Sequence, residues 1–212
     1  MTGMDQQQTD SVIICADYVC PFCYLGYESF DQFRDELEEP LDSTWHPFDL
    51  RSQKRRPDRS IDHSVETGKD ESYFEQAKEN VERLAEEYNV EMAQPLARDV
   101  DSYDAQRVAL RVSEEHPDEF EAFHRGIFDA LWEDGRDIGE QAVLEAIARD
   151  AGLPEGFVAE TLEDESSVSR LEEAFERARQ QRITGVPTFI YGEHAARGAV
   201  PPEQLRRLVD AE

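Results

Sequence analysis

Two cysteines, three positions apart, stand where an apolar β-branched run gives way to a helical pattern. "SVIICA" covers Ser11–Ala16, and "DYVCPFCYLG" covers Asp17–Gly26. The first run reads as a strand reaching Asp17. From Pro21 onward Phe22, Leu25, Gly26, Phe30, Phe33 and Leu37 recur at helical spacing. Such a chain has to set Cys20 and Cys23 on the first turn of a helix that leaves a buried strand. With Cys20 as N-cap, Pro21 takes the first helical position, where its missing N–H is not needed. The free amides of Phe22 and Cys23 then aim at the Cys20 sulfur, and the helix dipole adds about 0.3–2 kcal/mol in favour of a thiolate there. Cys23 lies at i+3 on the same face. Cβ atoms at that spacing are ~5–6 Å apart, whereas a disulfide needs about 3.5–4.5 Å. The turn has to tighten on oxidation, which makes the bond easy to reduce. This arrangement suits dithiol–disulfide exchange, with Cys20 attacking or being attacked and Cys23 resolving the mixed disulfide.

A metal is the competing use of closely spaced cysteines. Zinc needs four ligands, and the only other thiol is Cys15, in the middle of the strand. His46, His63, His116, His124 and His194 show no paired ligand spacing. Cys15, Cys20 and Cys23 do have the C-x4-C-x2-C spacing of plant-type iron–sulfur proteins, but a fourth cysteine is lacking. No metal is expected, and Cys15 alone reads as a small buried core residue.

Charge narrows the partners. With 22 cationic against 49 acidic side chains the net charge is −27, which repels nucleic-acid phosphates and anionic lipid headgroups. Neither nucleic acid nor membrane is expected as a partner. Lys54, Lys69 and Lys78 are the only lysines, and the acidic residues are spread along the whole chain. That pattern suggests a cytosol of very high salt, where surface repulsion is screened. The opening "MTGMDQQQTD" has neither a cationic nor an apolar leader region, and no apolar run approaches the ~18 residues of a membrane span. A soluble cytoplasmic protein is expected, in a compartment where paired cysteines are more often catalytic than structural.

Beyond the first helix, a second strand is expected around Thr44–Leu50, and the polar stretch 51–70 reads as a loop. Apolar stripes through Phe74–Tyr88, Ala105–Val112 and Phe120–Leu131 predict helices, with Pro117 in the first turn of the third and Gly135 at its end. Ala142–Ile147 predicts another, and "AGLPEG" breaks the chain before a short one. Val168, Leu171, Phe175 and Ala178 mark a further helix, with Ser166 or Ser167 as N-cap. Two short strands around a turn at Gly192–Glu193 follow, then a helix opened by Pro201–Pro202. The order is β-α-β, a helical insert, then α-β-β-α. Gly185–Phe189 ("GVPTF") puts Pro187 at a strand entry, where proline is tolerated.

A β-α start with "CPFC", a helical insert, "ITGVPTFI" and a β-β-α finish resembles the DsbA family of the thioredoxin superfamily, and within it the FrnE-like branch. That branch is akin to 2-hydroxychromene-2-carboxylate isomerases and kappa-class glutathione transferases. "FDALWEDGRDIG" resembles the "G-DI" helix end of the branch. The resemblance implies an α/β thioredoxin-like fold with an all-helical insertion. Its two domain parts would be residues 11–50 and 164–212, with linker and insertion at 51–163. It implies Cys20 as nucleophile, Cys23 as resolving thiol and Pro187 as a cis proline abutting them. Val186 would offer its backbone to an extended substrate, with Pro21, Phe22 and Thr188 also at the substrate. No cofactor is expected beyond the redox-active Cys20–Cys23 disulfide. Implied partners are protein or small-molecule thiols and disulfides, and an oxidant or reductant that resets the pair.

The chain departs from the branch in two places. Pro-Phe stands where Pro-Trp is common, and Asp101, Ser102 and Gln106 occupy places often held by Asn-Thr-x-x-Ala-His. The isomerases and kappa transferases resemble one another in having serine where this chain has Cys20. A glutathione-dependent isomerase or transferase is the second expectation, and a metal-stabilised binding module the third. Two further features stand out. Arg51, Lys54, Arg55, Arg56 and Arg59 form a basic loop suited either to an anion or to salt bridges with neighbouring carboxylates. Tyr18, Phe22, Tyr24 and Trp132 suit either an apolar collar around the thiol or the core.

Overall fold

The computed structural model describes residues 11–65 and 68–211. The opening segment 1–10, read above as carrying no leader, lies outside the described residues, as do residues 66 and 67 of the expected loop. The β-branched opening forms β1 (Ser11–Ala16), and the cysteine-bearing segment forms α1 (Pro21–Asp35). The chain returns as β2 (Asp42–Pro47) and enters a 3-10 turn at Ser52–Lys54. Five helices follow: α2 (Glu71–Tyr88), α3 (Tyr103–Glu115), α4 (Pro117–Trp132), α5 (Gln141–Asp150) and α6 (Phe157–Glu163). Last come α7 (Glu165–Gln180), β3 (Thr188–Tyr191), β4 (His194–Arg197) and α8 (Pro202–Val209).

The four strands form one mixed sheet in the order β2-β1-β3-β4. β1 runs parallel to β2, with Ile14 beside Trp45, and antiparallel to β3, with Cys15 beside Thr188. β1 is therefore central and buried on both faces, which is why its sequence is a continuous apolar run rather than an alternating one. Helices α1 and α8 pack against each other, with α8 also on β3 and β4, while α7 lies along β2. Of the helices between β2 and α7, α2 packs on α1, while α3 packs with α4, α6 and α7, and α5 with α4 and α6.

An aromatic knot joins this helical layer to the sheet. Rings of Tyr18, Tyr27, Trp45, Phe120 and Phe128 surround His124, with centroids 5.1–5.6 Å from it. Burial pushes the His124 imidazole down to about 4, so it sits neutral and bonds the Tyr18 hydroxyl at 2.7 Å. A second tie is Arg107, buried between α3 and the α6–α7 junction. Its guanidinium donates to Ser167 Oγ at 2.8 Å, Thr161 O at 3.1 Å and Leu162 O at 3.2 Å, and pairs with Asp104 at 2.9 Å.

Three boundaries differ from the sequence reading. β2 begins at Asp42 and stops at Pro47; Phe48 N makes the last bond to β1, on Ala16 O, and Leu50 N then turns away to the Asp17 side chain. α1 ends at Asp35, short of Leu37, whose amide closes a turn on Arg34 O. The N-cap of α7 is Asp164, which accepts from Ser166 N at 2.9 Å. Ser167 instead points inward to Arg107.

Candidate active site

Cys20 is the N-cap of α1 in an extended conformation, φ −94° and ψ 113°. The turn is pinned from both sides. Cys20 N donates to Asp17 O at 3.1 Å, while Cys20 O accepts from Cys23 N at 2.9 Å and Tyr24 N at 3.3 Å. Those amides thus go to the Cys20 carbonyl, and the sulfur makes no cap hydrogen bond, contrary to the expectation from sequence. The Cys20 sulfur turns instead to the carbonyl of Val186 at 3.8 Å. All three cysteines are free. Cys20 is 4% exposed and Cys23 1%, so both residues are buried. The Cys23 thiol is pushed well above its ordinary range, first by burial and then by the neighbouring Cys20. It stays protonated. Cys15, on β1 under α7, is raised to about 11 by burial.

The Val186–Pro187 peptide bond is cis, and the loop bearing it comes close to α1 at Gly26. A Cβ there would lie 3.0 Å from Pro187 Cγ, 3.3 Å from Phe189 Cζ and 3.6 Å from Ala199 Cα. Glycine lets the helix and the proline loop meet. The structure thus brings Cys20, Cys23, Val186 and Pro187 together. Pro21 is buried, and Phe22 is partly exposed beside the pair. Thr188 is turned inward, 1% exposed, with its hydroxyl donating to Gly185 O at 2.8 Å.

Asp17, three residues before Cys20, is a site residue that the sequence reading passed over. Its carboxylate is fully buried and accepts from Val19 N at 3.2 Å, Leu50 N at 2.9 Å and the Ser102 hydroxyl. Burial pushes it up to about 6, against the lowering effect of those donors. Gln106 completes the set, donating to Ser102 Oγ at 3.1 Å and accepting from Phe48 N at 3.2 Å. Asp101, Ser102 and Gln106, the three departures noted above, therefore have local work: Asp101 holds Arg55, and the other two hold Asp17 and the end of β2. An Asp at the strand end, before the Cys pair, was the available signal.

Two expectations are resolved. Tyr18, Tyr24 and Trp132 are fully buried, because Trp132 Nε1 donates to Tyr18 O at 2.9 Å and their rings pack with Phe128 and one another. They form core, not a collar, and only Phe22 of that group reaches the surface. In the basic loop, Arg55 bonds Asp49 at 2.7 Å and Asp101 at 2.9 Å, Arg56 pairs with Asp62 and Arg59 with Glu165. Arg51 donates to Ala97 O at 2.6 Å. Three of the loop's five cations are thus tied up in salt bridges with neighbouring carboxylates. Among the described residues no group of three or more His, Cys, Asp and Glu side chains is placed to hold a metal ion, and no helix is long and apolar enough to cross a membrane.

Residues 11–210 match the DSBA-like thioredoxin domain. The uncharacterized protein YwbO of Bacillus subtilis (strain 168) is 23% identical over 205 residues, 96% of this chain and 98% of its own. The crystal structure of a probable DsbA oxidoreductase, SCO1869 from Streptomyces coelicolor, superposes with a TM-score of 0.76 at 21% identity, over 95% of this chain and 90% of that one. A 2-hydroxychromene-2-carboxylate isomerase superposes with a TM-score of 0.73 at 18% identity, over 94% and 93%. At these identities the two structures establish the fold.

Proposed function

The chain belongs to the DSBA-like thioredoxin domain family, and from that premise we propose that it is a thiol–disulfide oxidoreductase working through Cys20 and Cys23. One observation carries the reading: two free, buried thiols three positions apart at the start of α1, with the Cys20 sulfur against the carbonyl of Val186, next to the cis proline. In the reducing direction the Cys20 thiolate attacks one sulfur of a substrate disulfide. The substrate S–S bond breaks, one substrate thiolate leaves and takes up a proton, and a mixed disulfide forms. Cys23 then gives up its proton and attacks Cys20 Sγ, which releases the second substrate thiol and leaves the Cys20–Cys23 disulfide. The substrate has gained two electrons and the dithiol has lost them. A thiol or dithiol partner resets the pair, and substrate oxidation is the same sequence reversed.

The neighbours have supporting roles in this reading. When Cys20 enters the mixed disulfide it no longer donates to Val186 O, and the Val186 backbone becomes free to pair with an extended substrate segment in the manner of strand addition. Pro187 and Phe22 flank the sulfurs with apolar surface. Pro21 fixes the first turn, and Thr188 acts through the loop it closes. The high S–H affinity of Cys23 keeps that thiol protonated until the mixed disulfide draws it in. The spread of acidic residues supports a cytoplasmic location in a high-salt cell.

The test is reduction of insulin disulfides with a thiol as electron source. The wild type should accelerate it, and Cys20→Ser should abolish the acceleration. Cys23→Ser should accumulate a mixed disulfide visible on a non-reducing gel. Equal activity of wild type and Cys20→Ser would discard the reading.

A further inference from the structure

β1 and β2 run parallel, so their carboxyl ends open onto the same edge of the sheet, the edge outside which open α/β sheets bind their ligands. Ala16 is paired with Pro47 there, and Cys20 and Arg51 each stand four residues past their member of that pair. Asp17 fastens the two loops together. Its carboxylate accepts from Leu50 N at 2.9 Å, and its carbonyl accepts from Cys20 N at 3.1 Å. The Asp17 charge acts on both the Cys23 thiol and the Arg51 guanidinium, which makes Arg51 a neighbour of the dithiol turn. Arg51 also differs from the other arginines of its loop. Arg55, Arg56 and Arg59 each pair with a carboxylate. Arg51 is partly buried, and among the described residues it takes part in no ion pair, in a chain with 49 acidic side chains. Its backbone N–H is held by Asp49 Oδ1 at 3.0 Å, and the guanidinium makes one hydrogen bond there, from Nη2 to Ala97 O at 2.6 Å. Burial holds its proton affinity below the ordinary arginine value against the pull of Asp17, Asp101 and Asp99, whereas Arg55, bonded to Asp49 and Asp101, is held above it. Guanidinium N–H donors in a fixed fork, aimed where a carboxylate could be gripped by two of them, are left without a partner.

We propose that Arg51 is a specificity residue of the site and takes up a carboxylate carried by the disulfide substrate close to the sulfur that Cys20 engages. The proposal rests on the dithiol reading above and names its substrate class; the bonds made and broken are those already written. A carboxylate compensates the Arg51 charge and satisfies its remaining N–H donors, and partial enclosure weakens the screening of the pair by salt. The carboxylate belongs either to a small acid or to an acidic residue beside a cysteine in a polypeptide, and its chemistry at Arg51 is the same. The field of the whole protein pulls the other way. At −27 it draws in cations and repels anions, so a preference for an anionic substrate has to come from a local cation.

Three small disulfides of similar size separate the charges: cystamine is cationic, hydroxyethyl disulfide neutral and dithiodipropionate anionic. Their reduction is measured with dithiothreitol as electron source, at the lowest salt in which the protein is folded, and each rate is divided by the uncatalysed rate for the same disulfide. Dithiodipropionate should then exceed hydroxyethyl disulfide in kcat/KM by about fivefold or more. Arg51→Gln should remove that advantage, chiefly through KM, and leave hydroxyethyl disulfide within about twofold. Arg149→Gln, the same change of charge at an exposed position in the last turn of α5, should leave the ranking intact. A disulfide-cyclised peptide with Glu or Gln beside a cysteine carries the comparison to polypeptides: an Arg51-dependent preference for Glu assigns the carboxylate to a protein substrate, and a preference confined to dithiodipropionate assigns it to a small acid. No advantage of dithiodipropionate over hydroxyethyl disulfide, together with no preference for the Glu peptide, would overturn the proposal. Equal effects of Arg51→Gln on the anionic and neutral substrates would do the same. Suberate, with CH2–CH2 in place of S–S, reads the site without redox chemistry and should shift the Arg51 side-chain N–H signal in NMR spectra. If the wild type reduces none of the disulfides, the dithiol reading has failed, and Arg51 stands or falls on the suberate shift.

Discussion

Asp17 makes the sharpest quantitative claim. Its carboxyl holds a proton at about 6 in the folded chain against 3.8 when free, a difference of about 3 kcal/mol at 1.36 kcal/mol per pH unit. Because the folded state binds the proton more tightly, this stabilisation is complete below pH 3.8 and is lost as pH rises through about 6. His124 works in the opposite sense over nearly the same window. Its imidazole is held down to about 4 from 6.5, so its contribution is present above pH 6.5 and lost as pH falls through 4, again about 3 kcal/mol. The two slopes largely cancel in the wild type, and a wild-type pH profile alone would hide both. Asp17→Asn isolates one of them. Asparagine still accepts from Val19 N and Ser102, but its amide faces Leu50 N, a pH-independent loss of about 1–3 kcal/mol. Urea unfolding in dilute solution, followed by the fluorescence of Trp45 and Trp132, gives the stability of both proteins from pH 4 to pH 8. The excess stability of the wild type over the variant should fall by about 2.4 kcal/mol across this range and level off above pH 7. A difference constant within about 0.5 kcal/mol, or one that grows with pH, would refute the argument that burial dominates at Asp17.

Three further outcomes are expected. Gly26→Ala forces a methyl to 3.0 Å from Pro187 Cγ; it should cost about 1–3 kcal/mol and speed iodoacetamide alkylation of Cys20 as the loop backs away, and unchanged alkylation would show that the loop does not shield the thiol. Arg107→Met leaves Ser167, Thr161 and Leu162 without their donor and should lower stability by about 2–4 kcal/mol, whereas Arg98→Met, an exposed pair with Glu71, should cost under about 1 kcal/mol; equal losses would mean that the buried clamp has no special weight. With a net charge of −27, the melting temperature should climb steadily between 0.1 and 2 M KCl as repulsion is screened, and a flat or falling curve would contradict that electrostatic reading.

What the sequence revealed follows from which forces act locally. The strand at Ser11, the helix start at Pro21 and the stripes of α2, α3 and α4 depend on near-neighbour spacing, and periodicity exposes them. Boundaries set by distant partners stayed hidden. β2 stops at Pro47, Leu50 N then turns away to Asp17, and nothing within five residues announces that. The cap of α7 was misplaced because Ser167 is drawn inward by Arg107, a partner sixty positions away. At the site, the spacing of Cys20 and Cys23 was legible, but the direction of the Cys20 S–H was not. That direction depends on Val186 O, 166 positions later. The burial of Tyr18, Tyr24 and Trp132 likewise depends on the docking of α4, which composition cannot report.

The central place of β1 bears on the life of the chain before it is complete. A ribosome adding about 5–20 residues per second needs about 10–30 s to travel from Cys20 to Val186. Through that interval the nascent polypeptide carries both nucleophilic sulfurs and, along Ile13 and Ile14, a naked hydrogen-bonding border that only Thr188–Tyr191 will cover. An unfinished or truncated copy therefore leaves that strand edge open to other chains. The last part to be synthesised, from Gly185 onward, acts as guard over the first.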